Sequence, residues 1–174
     1  MKPTLIAAMS AMFVAPLAPL RRPPVPPLPV AKPAAAQAAD LAASVWLARE
    51  DAGNALKGAS FHFAAPSRPV KVASDPAALR SGLAALMSAS AASMRGRKHP
   101  GLALKVATAG GRVTLVLRDA GPGLSVAELT EMYGGRTSRL AAARRRLESA
   151  GGVVNVDTEL GAGTVYTIEL KTAG

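Results

Sequence analysis

The residues that could do chemistry cluster around glycines. Arg118-Asp119-Ala120-Gly121-Pro122-Gly123-Leu124 places a carboxylate at the end of an alternating apolar run, with two glycines turning the backbone beside it. A carboxylate in such a place can accept a hydrogen bond from an exocyclic amine, and glycines remove the side chains that would block a flat ring. Taken alone, the same D-x-G-x-G pattern is also what an ordinary turn after a strand looks like. A second glycine pair, Gly161 and Gly163, precedes Thr164 and a last alternating run, and here too a hairpin turn is the plain alternative. Basic residues gather at Arg95, Arg97 and Lys98 and again at Arg136, Arg139, Arg144, Arg145 and Arg146, as phosphate-binding or solvated helical faces would require.

Composition removes several kinds of chemistry. The 174 residues carry no cysteine, which excludes disulfide scaffolds, thiolate metal sites and thiol nucleophiles. Hydrophobic residues make up 49% of the chain, enough for a core built from Ala, Leu and Val. The net charge is +10, but only six aromatic residues are present (Phe13, Trp46, Phe61, Phe63, Tyr133 and Tyr166), too few for a base-stacking single-strand binder. There are two histidines: His62 in a strand-like run, most simply a half-exposed strand residue, and His99 before Pro100 in a basic loop.

The elements that must position these residues follow from periodicity. Leu41, Val45, Leu47 and Leu56 suit a helix over 37–57, and Ser60–Ala64 and Pro69–Ala73 alternate as a strand pair around Pro66 and Ser67. Asp75-Pro76 reads as an N-cap with proline at the first helical position, followed by the stripe Leu79, Leu83, Leu86 and Met87. Leu102–Ala107 and Arg112–Arg118 form a predicted hairpin on Gly110-Gly111, closing at Asp119. Helices over about 126–133 and 138–150, separated by Gly134-Gly135, and strands over 153–157 and 164–170 complete the chain. This order predicts an α+β two-layer sandwich, a mixed and mostly antiparallel sheet covered by helices on one face.

Taken together, the capped helix, the hairpin ending in D-x-G-x-G, the basic helix ending in Gly151-Gly152 and the G-x-G-T turn resemble the histidine-kinase-like (GHKL, Bergerat-fold) ATPase family, in particular its sensor histidine kinase branch. The resemblance covers about residues 60–170, and it implies that the helix from Asp40 matches the tail of a dimerisation-helix segment. It assigns adenine binding to Asp119, with Gly121 and Gly123 shaping the pocket and Thr164 beneath the ring. The phosphate lid of the family falls on Gly135-Arg136-Thr137-Ser138-Arg139-Leu140, where only the first glycine and the last leucine match the glycine-rich pattern. Thr137 and Arg139 bring β-carbons to places where family members have none, while Arg136 and Arg139 could instead offer guanidinium donors to phosphates. The asparagines that hold Mg²⁺ in the family correspond here to Ala85 and Ala89, which cannot ligate a metal.

Three readings follow: a degenerate domain that binds ATP or ADP with little metal dependence and acts with a kinase, response regulator or other signalling protein, transferring little or no phosphate itself; a pseudo-ATPase docking scaffold without nucleotide; or a basic nucleic-acid or membrane-surface binder. ATP binding implies the cytoplasm. The start of the chain bears on this, because residues 1–22 hold an apolar run interrupted by Pro16 and Pro19, readable as an export signal, a membrane anchor or an unstructured start. Residues 23–36 read as a Pro/Ala-rich linker, since nine of the fourteen prolines fall within residues 1–33, and residues 37–174 form the expected domain.

Overall fold

A computed structural model describes residues 38–135 and 137–174. The expectations for residues 1–37, the apolar start and the proline-rich linker, lie outside the described residues, as does Arg136.

The chain opens with a three-residue strand β1 (Ala38–Asp40), then α1 (Leu41–Asp51), β2 (Ser60–Ala64), β3 (Lys71–Ala73) and α2 (Pro76–Ser93). The predicted hairpin is β4 (Gly101–Ala109) and β5 (Arg112–Asp119); α3 (Val126–Gly134), α4 (Arg139–Ser149), β6 (Val153–Glu159) and β7 (Gly163–Lys171) follow. The main sheet has the order β2-β4-β5-β7-β6, and only its β2–β4 pair is parallel. The α+β sandwich with a mostly antiparallel sheet is therefore present.

Alternation decides which face is covered. Leu102 and Leu104 on β4, Val113, Leu115 and Leu117 on β5, and Tyr166, Ile168 and Leu170 on β7 are buried, whereas Lys105 and Arg118, at alternate positions, are exposed. Onto the apolar face α2 lays Leu79, Leu83, Leu86 and Met87, all of them fully buried or nearly so. Asp75 caps this helix, accepting from the Ala78 N–H at 2.7 Å. Gly82, in mid-helix, lets α4 approach: a β-carbon there would stand 2.8 Å from Leu147 Cδ2.

Three expectations are corrected. β2 and β3 do not pair; β3 runs antiparallel to β1, and β2 joins the edge of the main sheet with Phe61 opposite Leu102 and Phe63 opposite Leu104. Between them lie Pro66 and Pro69, which have no N–H for a ladder, and the chain leaves the sheet there. The helix expected over 37–57 is α1 alone, capped by Asp40, which accepts from the Ala43 N–H at 2.9 Å. Nor does α1 stand apart as the tail of a dimerisation helix, because Leu41, Val45 and Ala48 are fully buried in the common core. Its other side carries Leu47 and Trp46, and the Trp46 ring meets Phe61 and Phe63 edge-on at 6.1 and 5.6 Å. No helix among the described residues is long and apolar enough to cross a membrane.

Candidate functional site

Asp119 continues the inward alternation of Val113, Leu115 and Leu117, so its side chain points into the layer between sheet and helices, and it is only 2% exposed. Register sets its neighbours: Leu102 stands opposite on β4 and Thr164 opposite on β7. Oδ1 accepts from the Gly121 N–H at 2.9 Å and from the Thr164 N–H at 3.1 Å. Oδ2 is buried without a hydrogen-bond partner, and so is Ser90 Oγ on α2. Burial pushes the Asp119 carboxyl above its ordinary pKa, against the opposing pull of the Gly121 and Thr164 N–H groups and the nearby Ser90 hydroxyl. That hydroxyl is close enough to favour the charged form, yet it does not reach hydrogen-bond geometry. Tyr166, buried next to the carboxylate, has its phenol pKa raised by burial and by the Asp119 charge, which keeps it neutral.

The glycines make this packing feasible. A β-carbon on Gly121 would lie 2.8 Å from Asp119 Oδ1 and 3.1 Å from Ser93 Oγ. A β-carbon on Gly123 would meet the Glu159 carbonyl, and one on Gly163 the Asp119 carbonyl; both residues also adopt left-handed φ values, 77° and 108°. Three further ties hold the loop 120–124 to the β6–β7 turn. Gly161 N–H donates to Pro122 O at 2.7 Å, Leu124 N–H donates to Thr158 Oγ1 at 2.8 Å, and Arg97 donates to the carbonyls of Ala120, Gly121 and Gly161 at 3.2–3.4 Å.

Beside this knot lies a cavity of about 440 Å³, walled by Ala89 and Ser93 of α2, Leu124 of the loop before α3, Glu128 and Glu131 of α3, and Arg139 and Leu140 of α4. Its size is within the range of small-molecule sites. Asp119 does not line it; the carboxylate lies behind Ser93, and the space that a Gly121 side chain would fill is what separates the two. Helix α3 is fixed by a capping box in which Ser125 and Glu128 satisfy each other's end of the helix, and these bonds lower the Glu128 pKa.

The structure thus brings Asp119, Gly121, Gly123 and Thr164 into one cluster. Arg139, which opens α4, lines the cavity, whereas Gly135 does not and closes α3 with its Cα packed against the Glu131 carboxylate. Sequence reasoning missed Ser93 and Glu131 as site residues, and it read Arg97 only as part of a basic cluster. The Glu131 Oε1 accepts from the Thr137 hydroxyl at 3.0 Å and from the Thr137 and Ser138 N–H groups at 3.4 Å each. A carboxylate of this chain therefore sits where the start of α4 offers N–H donors to an anion. Ala85 and Ala89 both line the space between α2 and α4, and among the described residues no group of three or more His, Asp or Glu could hold a metal ion.

No family model matches the chain, and no curated protein matches it by sequence. Solved structures do. The mycobacterial sensor histidine kinase MprB superposes with a TM-score of 0.64 at 19% identity, covering 78% of this chain and 97% of that one. The catalytic domain of the histidine kinase ThkA gives 0.65 at 14% identity, covering 79% and 98%. The Acinetobacter baumannii histidine kinase AdeS gives 0.62 at 17%, covering 79% and 68%. With strand order and helical layer already in place, this chain has the fold of histidine kinase catalytic domains.

Proposed function

We propose that this domain binds an adenine nucleotide, ATP or ADP, and works through a partner protein in two-component-type signalling, with little or no phosphoryl transfer of its own. The observation that carries this reading is the Asp119 carboxylate, one oxygen held by two backbone N–H groups and the other buried and unpartnered. A buried acceptor left open is costly unless something meets it, and an exocyclic amine is a fitting donor. The cavity that Ser93 separates from the carboxylate has room for the ring, and Leu124 and Leu140 give it apolar walls. The Gly121 and Thr164 N–H groups hold the carboxylate in place, the missing side chain of Gly121 keeps its approach open, Gly123 lets the loop pack on the Glu159 carbonyl, and Gly135 and Arg139 stand on the lid side. Arg136, outside the described residues, belongs to the same lid by sequence. Poor phosphoryl transfer fits Ala85 and Ala89, since without a metal the developing charge loses its main clamp. A partner, a kinase or response regulator, fits as the source of a phosphoacceptor, because His62 lies on a strand and His99 in a loop rather than on a helix.

Calorimetric titration with ATP and ADP, with and without Mg²⁺, tests the reading. Binding by the wild-type chain that Asp119→Asn abolishes is the expected result; binding that survives Asp119→Asn overturns it. A second reading, a docking scaffold without nucleotide, is favoured by the Glu131 bonds that occupy the lid N–H groups, and silence in every titration selects it.

A further inference from the structure

The cavity beside Asp119 continues past Ala89 and Arg139 into a second space of about 470 Å³ between α2 and α4. Its two walls have different chemistry. From α2 come Ser81, Ala85 and Ser88, one helical face at i, i+4 and i+7. From α4 come Arg139 and Arg146, seven residues apart and therefore on the same face, roughly 10 Å from each other along the axis. Neither arginine has a carboxylate within salt-bridge distance among the described residues, in contrast to Arg144 of the same helix, which pairs with Glu148 at 2.7 Å and stacks on Tyr133. The one acidic residue in the walls, Asp51, is answered by Arg80 through two bonds of 2.6 Å. Metal ligands are missing from this wall at Ala85 and Ala89, and the lid N–H groups are taken by Glu131.

We infer that this groove is a metal-independent polyphosphate site, in which Arg139 and Arg146 clamp the phosphate chain of the nucleotide and the Ser81 and Ser88 hydroxyls donate from the opposite wall. The inference rests on the nucleotide reading above and gives it a selectivity. Two guanidiniums spread along two turns of helix match a chain of two or three phosphates, not a single one. Guanidinium contacts to phosphate are charge-assisted, so they supply the neutralisation that Mg²⁺ would otherwise bring.

The test is calorimetry in EDTA with ATP, ADP, AMP and inorganic tripolyphosphate, on the wild-type chain and on Arg146→Gln, Arg139→Gln and Lys105→Gln. Glutamine is a good helix former, so the exposed positions on α4 tolerate it. Lys105 lies on the far face of the sheet and controls for general charge. The expected order is ATP over ADP over AMP without metal. Arg146→Gln should weaken ATP and tripolyphosphate about tenfold and leave AMP unchanged, Arg139→Gln should weaken both ligands similarly, and Lys105→Gln should change nothing. The proposal is overturned if Arg146→Gln leaves ATP and tripolyphosphate unaffected, if Lys105→Gln weakens them equally, or if either ligand binds only with Mg²⁺. Failure of the adenine reading has a different signature: AMP does not bind, while tripolyphosphate still does and still depends on Arg146.

Discussion

The two ends of the site are built by different means. At the Asp119 end the backbone does the work: the pairing of β5 with β7 sets Thr164 opposite the carboxylate, two N–H groups fix one oxygen, and glycines allow strand ends and turns to touch. At the lid end the work falls to exposed side chains, Arg139 and Arg146 on α4, Glu131 on α3 and the α2 serines. A site fixed by strand register is rigid and intolerant of change. One assembled from helical surface charges is adjustable, and it can change its ligand chemistry without disturbing the core. Under the proposed reading, that asymmetry lets the carboxylate and its glycine loop stay fixed while residues 85, 89, 137 and 139 are alanine, threonine and arginine.

The harshest way to break the comparison is Gly163→Ala. Its new β-carbon would be forced against the Asp119 carbonyl at a φ of 108°, and a strained backbone position together with a main-chain collision should destabilise the fold by about 3 kcal/mol. Urea unfolding measures this. A loss no larger than an ordinary surface substitution would mean that the Asp119 end is less rigid than its contacts imply.

Asp119→Asn comes next and separates function from stability. Binding of adenine nucleotide should fall by about 2 kcal/mol or more, because an amide N–H₂ would face the incoming amine. Stability should move the other way. Burial raises the Asp119 pKa, so the folded chain keeps this proton to higher pH than the unfolded chain does. Stability is therefore lost as pH climbs from the ordinary 3.8 toward the raised value, and it stays lost above it. Asparagine removes that loss. Its gain in Tm over the wild type should be absent below the ordinary carboxylate pKa, grow as pH climbs through the raised value and level off above it, a few degrees in all. A variant less stable than the wild type at neutral pH would show that the carboxylate is already well satisfied.

What could be read from the sequence follows the same division. Period-2 alternation through Val113, Leu115 and Leu117 predicts the strand, and carried one step further it turns Asp119 inward, where the structure has it. The Asp75 cap, the α2 stripe and the Gly110-Gly111 hairpin were legible because local chemistry decides them. Strand β1 was not, since three residues carry no pattern and their pairing with β3 depends on chain far away. The same distance hid the role of α1, whose apolar side reads equally well as a coiled-coil tail or a core helix. On the lid, Glu131 finds its partners across a Gly-Gly break, six and seven residues on, beyond any helical spacing rule. Arg146 did carry a signal: with Arg139 and Ala142 it completes an i, i+3, i+7 face, which distinguishes it from its neighbours Arg144 and Arg145.

Smaller effects sharpen the lid side of the comparison. Ser125→Ala removes the hydroxyl half of the capping box and should cost about 1 kcal/mol, read in thermal unfolding. The Glu128 pKa is lowered by its bonds to Ser125, so the stabilisation they give is present above the ordinary carboxylate range and disappears as pH falls through the lowered value. The Ser125→Ala penalty should shrink on acidification, which a pH-independent penalty would contradict.

The smallest expected change is the most informative about how the lid is set. Glu131→Gln keeps an acceptor for the Thr137 and Ser138 N–H groups but removes a negative charge from the cavity wall. The side chain is partly exposed, so its charge is worth about 0.2–1 kcal/mol, and affinity for ATP should rise about two- to fivefold at low salt. AMP, with its single phosphate nearer the ring, should gain less, and the difference should fade as ionic strength increases, because exposed charges are screened. Glu131→Ala, which also frees the N–H groups, should exceed the glutamine effect if the carboxylate competes with phosphate for those donors. Equal gains from both variants would reduce the role of Glu131 to simple repulsion, and no gain from either would mean that the phosphates never come near the start of α4.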